Sequence, residues 1–325
     1  MSDLRVRVGS IELERPGMVA SGIMDETGET MVRMLRSGAG AVVSKSVGTN
    51  PNPGHRNPNF TEVTAGCINA MGLPNPGIEA FAEEMEVAVK EGKIIGSVYG
   101  ASPEEFARLA GRMEDYGACA VELNLSCPHA KGYGMEVGTD PDMVRRIVAA
   151  AKDAVSIPIW TKITPNTHII KDIGKAIEDA GGDAIVAINT LKAMVIVPEF
   201  GKPLMSNKVC GLSGKCIKPI GVRAVWDLHQ AVSIPIVGVG GIYDHRDALE
   251  YIMAGACAFQ LGSAVLENGP EVFSAINNGL IAFMKEYGYS SIKDMEGIAH
   301  EWGRRHDKIG RTDQQVLQDD QVRLE

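Results

Sequence analysis

Cys127 stands in the run Glu122-Leu123-Asn124-Leu125-Ser126-Cys127-Pro128-His129, with Gly132-Tyr133-Gly134 shortly after it. A thiol acts as a proton acceptor when its pKa falls from about 8.5 toward neutrality, and a loop over an open mouth suits that role. Free cysteine is more often plain packing. Here, though, Asn, Ser, Cys and His crowd one apolar segment's end, a costly place for polar groups that lack partners. Cys67, Cys119, Cys210, Cys216 and Cys257 have no such company and are read as packing.

Two lysines point to an anion. Lys45 lies in Ser44-Lys45-Ser46 and Lys162 in Trp160-Thr161-Lys162-Ile163-Thr164-Pro165-Asn166, each at the end of an apolar run. A lysine there is expensive unless it meets an anion or an electron-rich ring, although either one alone would also fit a side chain snorkelling to the surface. Ala187-Ile188-Asn189-Thr190 closes a third such run with polar groups. Gly238-Val239-Gly240-Gly241-Ile242 and Gly262-Ser263-Ala264 bring bare backbone N–H groups to the last two runs, which suits a phosphate better than two unrelated tight turns. In Gly66-Cys67-Ile68-Asn69-Ala70-Met71-Gly72-Leu73-Pro74-Asn75-Pro76-Gly77, Asn69 and the amides of Met71, Gly72 and Leu73 suit a planar polar substrate and its carboxylate; ordinary turn chemistry is the competing account.

The elements that must position these groups alternate. Short β-branched runs at residues 18–21, 41–46, 94–99, 120–126, 157–164, 184–189, 234–240 and 258–263 are each followed by an amphipathic stretch of helical length. Eight βα units predict an α/β protein, a single (β/α)8 TIM barrel, with the chemistry at its C-terminal face. Residues 79–89 predict a helix with Phe81, Met85 and Val89 on one face, and Asp140-Pro141 reads as an N-cap followed by Pro at the first helical position. Residues 4–8 and 11–14, joined at Gly9-Ser10, predict an N-terminal hairpin across the barrel floor. Three long βα loops, 47–76, 127–139 and 190–214, predict the lid and walls of the site. The barrel takes residues 1–302, and residues 303–325 form a charged tail or partner-dependent extension.

Composition narrows the class. A chain of 325 residues accommodates one barrel of about 250 residues with insertions. The net charge of −9, without a Lys/Arg block, argues against a nucleic-acid partner. No segment approaches the roughly 18 to 20 apolar residues of a membrane span, and the N-terminus opens no signal peptide, so a cytoplasmic location is expected. The six cysteines form no C-x-x-C pair and no metal-ligand spacing, so no metal site is expected.

Taken in order and spacing, the segments 44–46, 69–77, 122–128, 162–166, 188–190, Gly211-Leu212-Ser213-Gly214 and 238–242 resemble the class 1 dihydroorotate dehydrogenases, from about Leu4 to Glu301. The resemblance implies FMN as cofactor, in contact with Ser21, Lys45, Ser46, Asn124, Lys162, Ile188, Gly214, Gly240, Gly241, Gly262 and Ser263. It implies dihydroorotate as substrate, held by Lys45, Asn69, Met71, Gly72, Leu73, Asn124, Asn189 and Thr190. Cys127 would take the C5 proton while the C6 hydride passes to the flavin, giving orotate for pyrimidine biosynthesis. Membrane-bound relatives use Ser as base, so quinone is not the expected acceptor.

Two assemblies occur in the family: a homodimer that reduces fumarate, and a heterotetramer with an FAD/iron–sulfur electron-transfer subunit that reduces NAD. Gly297-Ile298-Ala299-His300-Glu301 looks closer to the second group. One departure stands out. Ser126-Cys127-Pro128-His129 has His where many class 1 enzymes have Asn, and it looks like the pyrimidine-reducing domain of dihydropyrimidine dehydrogenase. Reduction of uracil or thymine is therefore the alternative reaction, and a flavin-binding barrel without turnover is the alternative from another class.

Overall fold

Eight short apolar segments pair in parallel and close on themselves: Gly17–Val19, Ala41–Val43, Ile94–Val98, Ala120–Asn124, Ile159–Lys162, Ala184–Ala187, Ile236–Val239 and Ala258–Leu261. The structure is a computed structural model and describes residues 3–125 and 135–301. Each strand pairs with its neighbour in chain order, and the eighth returns to the first, Phe259 opposite Gly17 and Leu261 opposite Val19. All eight expected strands are present, but each stops one to three residues short of its expected C-terminal end: Asn124 and Lys162 are the last residues of theirs, whereas Ser21, Ser44-Lys45-Ser46 and Ile188-Asn189 fall after their strands. There the backbone leaves regular strand geometry without losing its bonds: Ser44 N–H donates to Ile95 O (2.9 Å), and Ile188 N–H donates to Val239 O (3.0 Å). The polar ends thus stay anchored to the barrel while turning into its mouth.

Helices follow the strands, among them Gly28–Arg36, Pro103–Asp115, Pro141–Ala154, Ile170–Asp179, Lys218–His229, His245–Ala254 and Val272–Tyr287. Their starts are written in the sequence. Asp140 accepts from Asp142 N–H at 3.0 Å with Pro141 behind it, and Asp244 forms a capping box with Asp247. The helix expected over 79–89 is shorter, Ala82–Ala88, because residues 78–81 form a turn. Its predicted face survives, with Phe81 and Met85 fully buried and Val89 packed against the core.

The N-terminal hairpin pairs Val6–Val8 with Ile11–Leu13. Val8 and Leu13 are fully buried, and its tip at Gly9 lies beside Asp183, the residue before the sixth strand. The hairpin therefore covers the N-terminal end of the barrel, as expected.

Two of the three long loops are not loops throughout. Phe60–Val63 and Gly66–Asn69, from the connection after the second strand, join Leu191–Ala193 and Cys210–Ser213, from the connection after the sixth. The four make an antiparallel sheet, with Asn69 opposite both Phe60 and Gly211. Ile68, Ala70, Met205 and Cys210 give it a small core of its own. Strands of three or four residues, broken by Gly, are too short to register as alternation, which is why the sequence reads as loop. The third long loop and the 303–325 tail fall largely or wholly outside the described residues.

Candidate active site

At the C-terminal ends of the barrel strands, under this cap sheet, lies a cavity of about 470 Å³. That is the expected face for barrel chemistry and the size range of cofactor pockets. The structure brings together on its wall the candidate residues Ser21, Lys45, Ser46, Asn69, Met71, Gly72, Leu73, Asn124, Lys162, Ile188, Asn189, Thr190, Gly214, Gly240, Gly241, Gly262 and Ser263. Cys127 and its neighbour His129 lie outside the described residues.

The cavity floor is wired by hydrogen bonds between strand ends. Ser46 Oγ lies 3.0 Å from Ser21 Oγ and 2.7 Å from Ser97 Oγ, and it accepts from Asn124 Nδ2 at 3.1 Å. Asn189 Nδ2 donates to Asn124 Oδ1 at 3.4 Å, and Thr190 N–H donates to Asn189 Oδ1 at 2.7 Å. Polar side chains from five strand ends thus fix one another's rotamers, and all of them but Ser97 line the cavity. Such mutual support is what a preorganised site requires.

Both lysines are buried. Lys45 Nζ donates to Glu26 Oε1 at 2.8 Å; Lys162 Nζ donates to Gln260 Oε1 at 3.2 Å. Glu26, which lines the cavity, and Asp25, fully buried beside Lys45, are site residues that the sequence reading does not single out. Acidic residues directly after the first strand were the available signal. Burial pushes the Asp25 carboxyl up to about 7, against the pull of the Gly22 N–H bond and the Lys45 charge.

This has a measurable consequence. Because Asp25 holds its proton more tightly in the fold than in the unfolded chain, its contribution is fully present below about pH 4 and is lost as pH rises through about 7. Asp25→Asn, which cannot ionise, is expected to flatten the pH dependence of stability over that window, gaining most on the wild type above pH 7. Urea midpoints at pH 5 and pH 8 test this; parallel pH profiles for the two proteins would refute it.

Three glycine-bearing turns meet at one corner of the cavity. Gly214 has φ +105°, and a Cβ there would stand 2.4 Å from Gly66 Cα; at Gly241, φ +69°, a Cβ would stand 2.8 Å from Gly214 O. Only glycine allows this approach and these dihedrals together. Gly262-Ser263 completes the corner at the start of the short helix Ser263–Asn268. Opposite, His55 N–H donates to Met71 O (2.9 Å) and Asn52 Nδ2 donates to Gly72 O (3.0 Å). The loop's carbonyls are engaged, while the N–H groups of Met71, Gly72 and Leu73 find no acceptor among the described residues.

The cysteines divide. Cys119, Cys210 and Cys257 behave as packing, and burial raises the first and last to about 11 and about 12. Cys216 is exposed, contrary to the packing assignment, because it lies in the middle of a one-turn 3-10 helix at the surface. Cys67 is buried as expected, but in the cavity wall, near Ser263. Among the described residues no cluster of three or more His, Cys, Asp or Glu is placed to hold a metal, and no helix is long and apolar enough to cross a membrane.

Fold and site together define a (β/α)8-barrel enzyme with its chemistry at the C-terminal face. The sequence matches the family model described as dihydroorotate dehydrogenase over residues 3–284, and the chain belongs to that family of oxidoreductases. Among curated relatives, the catalytic subunit of dihydroorotate dehydrogenase B (NAD(+)) from Methanocaldococcus jannaschii is 48% identical over 92% of this chain and 98% of its own. The proteins of the same name from Methanothermobacter thermautotrophicus and Pyrococcus horikoshii are each 49% identical, over 92% and 91% of this chain and 99% and 97% of theirs. A crystal structure of DHODH from Eimeria tenella in complex with ferulenol superposes with TM-score 0.81 at 20% identity, covering 92% of this chain and 89% of that one, which bears out the barrel.

Proposed function

We propose that the cavity holds FMN together with dihydroorotate and that the chain oxidises the latter to orotate. The observation that carries this reading is the meeting, in one cavity of a dihydroorotate dehydrogenase family member, of two buried lysines, three asparagines and a glycine corner. When bound, FMN supplies the two-electron acceptor for the hydride leaving C6 of the substrate. The corner of Gly214, Gly241 and Gly262 offers backbone N–H groups to its phosphate, and a Cβ at Gly214 or Gly241 would push its turns apart. Lys162 presents positive charge to the ring where negative charge builds up on reduction.

The substrate's ring amides pair with Asn69, Asn124 and Asn189, and its carboxylate takes the N–H groups of Met71, Gly72 and Leu73 with the Lys45 ammonium. Lys45 then exchanges its exposed partner Glu26 for the substrate anion. Cys127 removes the C5 proton. A C–H beside a carbonyl is a weak acid, so the base must be close and water excluded, and the loop bearing Cys127 is placed in sequence to do both. Ser21, Ser46, Ile188, Thr190, Gly240 and Ser263 complete the walls.

Relatives named as catalytic subunits of an NAD(+)-linked enzyme support a heterotetramer in which electrons leave through an FAD/iron–sulfur subunit, rather than a fumarate-reducing homodimer. The test assays the FMN-loaded protein on dihydroorotate and on uracil with an artificial acceptor. Turnover of dihydroorotate is expected; turnover of uracil alone refutes the reading. Purification from the native source should bring the electron-transfer subunit with it, and a homodimer that reduces fumarate unaided refutes that part.

A further inference from the structure

Beneath the cavity three polar side chains form a bridge inside the barrel. Glu122 is on the fourth strand, Lys162 on the fifth, and Gln260 on the eighth, which faces them across the barrel. All are buried: Glu122 is 0% exposed and Gln260 1%. Gln260 Nε2 donates to Glu122 Oε2 at 2.7 Å while its Oε1 accepts from Lys162 Nζ at 3.2 Å. Lys162 Nζ and Glu122 Oε1 are 3.6 Å apart, and that carboxylate oxygen has no hydrogen-bond partner among the described residues. The amide of Gln260 therefore engages both members of an ion pair that has not collapsed to full contact.

Lys162 and Gln260 line the cavity; Glu122 does not. With one N–H of the ammonium committed to Gln260 and the carboxylate held short of hydrogen-bonding distance, donor capacity remains for a ligand above. Buried ion pairs are costly to assemble and costlier to break on one side, so this arrangement fixes the place of the ammonium.

Resting on the FMN reading above, we propose that Glu122 and Gln260 are positioning residues that set how strongly Lys162 favours reduced over oxidised flavin. Glu122 balances part of the ammonium's charge. Gln260 keeps the ammonium at the cavity surface instead of against the carboxylate. The two side chains therefore act in opposite senses. Removing the carboxylate charge leaves Lys162 a stronger stabiliser of the negative charge on reduced flavin, whereas removing the amide lets Lys162 relax onto Glu122 and withdraw.

The experiment measures the midpoint potential of bound FMN, by equilibration with a reference dye, in wild type, Glu122→Gln and Gln260→Met. Glu122→Gln is expected to move the reduced-to-oxidised ratio at fixed potential at least tenfold toward reduced, about 30 mV for a two-electron couple. Gln260→Met is expected to move it at least tenfold the other way. A purely structural role would alter melting temperatures and leave the potential in place. Reduced-to-oxidised ratios within twofold of wild type in both variants, or shifts of the same sign, overturn the proposal while leaving FMN binding intact; a wild type that binds no FMN overturns both. Should Glu122→Gln not fold, Gln260→Met, of similar volume and uncharged, decides alone by the sign of its shift.

Discussion

Cys127→Ala is expected to bind FMN as the wild type does and remain yellow, yet to be reduced by dihydroorotate about 10²- to 10⁴-fold more slowly, the range that one positioned general base contributes. The two effects separate because the FMN contacts assigned above come from the barrel's strand ends and glycine corner, whereas Cys127 comes from the loop after the fourth strand. Stopped-flow loss of flavin absorbance, with dihydroorotate as sole reductant, reads the step directly. Reduction at the wild-type rate would remove Cys127 from the reaction. Loss of FMN without a slower reduction of the remaining bound fraction would make it a structural residue.

The second large effect is expected at Gly241. A methyl there meets Gly214 O at 2.8 Å and Lys218 N at 2.9 Å, both backbone atoms, on a residue already at φ +69°. Strain of about 1–3 kcal/mol has to be relieved by moving one turn of the corner away from the other. Gly241→Ala is therefore expected to weaken FMN binding at least tenfold, since about 1.4 kcal/mol is a factor of ten. Gly111, inside the helix Pro103–Asp115, gives the contrast: a Cβ there meets nothing within 4 Å. Gly111→Ala should add about 0.5–1 kcal/mol of stability and leave FMN affinity alone. Titration of the apoproteins with FMN, followed by flavin fluorescence, compares the two; equal affinities would refute the cradle.

What was legible in the sequence follows from how local the signal is. Lys45, Asn124, Lys162 and Asn189 stand out because each is a polar residue at the end of an apolar run, a contradiction that one strand displays by itself. The eight strands and the hairpin at Gly9 are equally local. The cap sheet was not legible, because its pairing of Gly66–Asn69 with Cys210–Ser213 joins segments that are individually unremarkable. The same limit hid the partners of the lysines. Glu122 was in view as part of a motif, but nothing near it announces Gln260, and Glu26 resembles any acidic turn residue until Lys45 is seen against it. Cys67 shows a related failure: burial was foreseen, but not that the buried face is a cavity wall.

The cap sheet also constrains the order in which the molecule can be made. Its strands come from the connections after the second and the sixth barrel strands, so they pair only when the third to sixth strands have brought those two connections to the same end. Contacts between such distant segments require the loop-closure entropy to be overcome first, which places them after the local βα units. Those units can therefore exist as a scaffold before they have a roof. A refolding chain should recover its helical signal before it acquires the power to capture flavin, and the last segment to settle is the one that makes the molecule an enzyme.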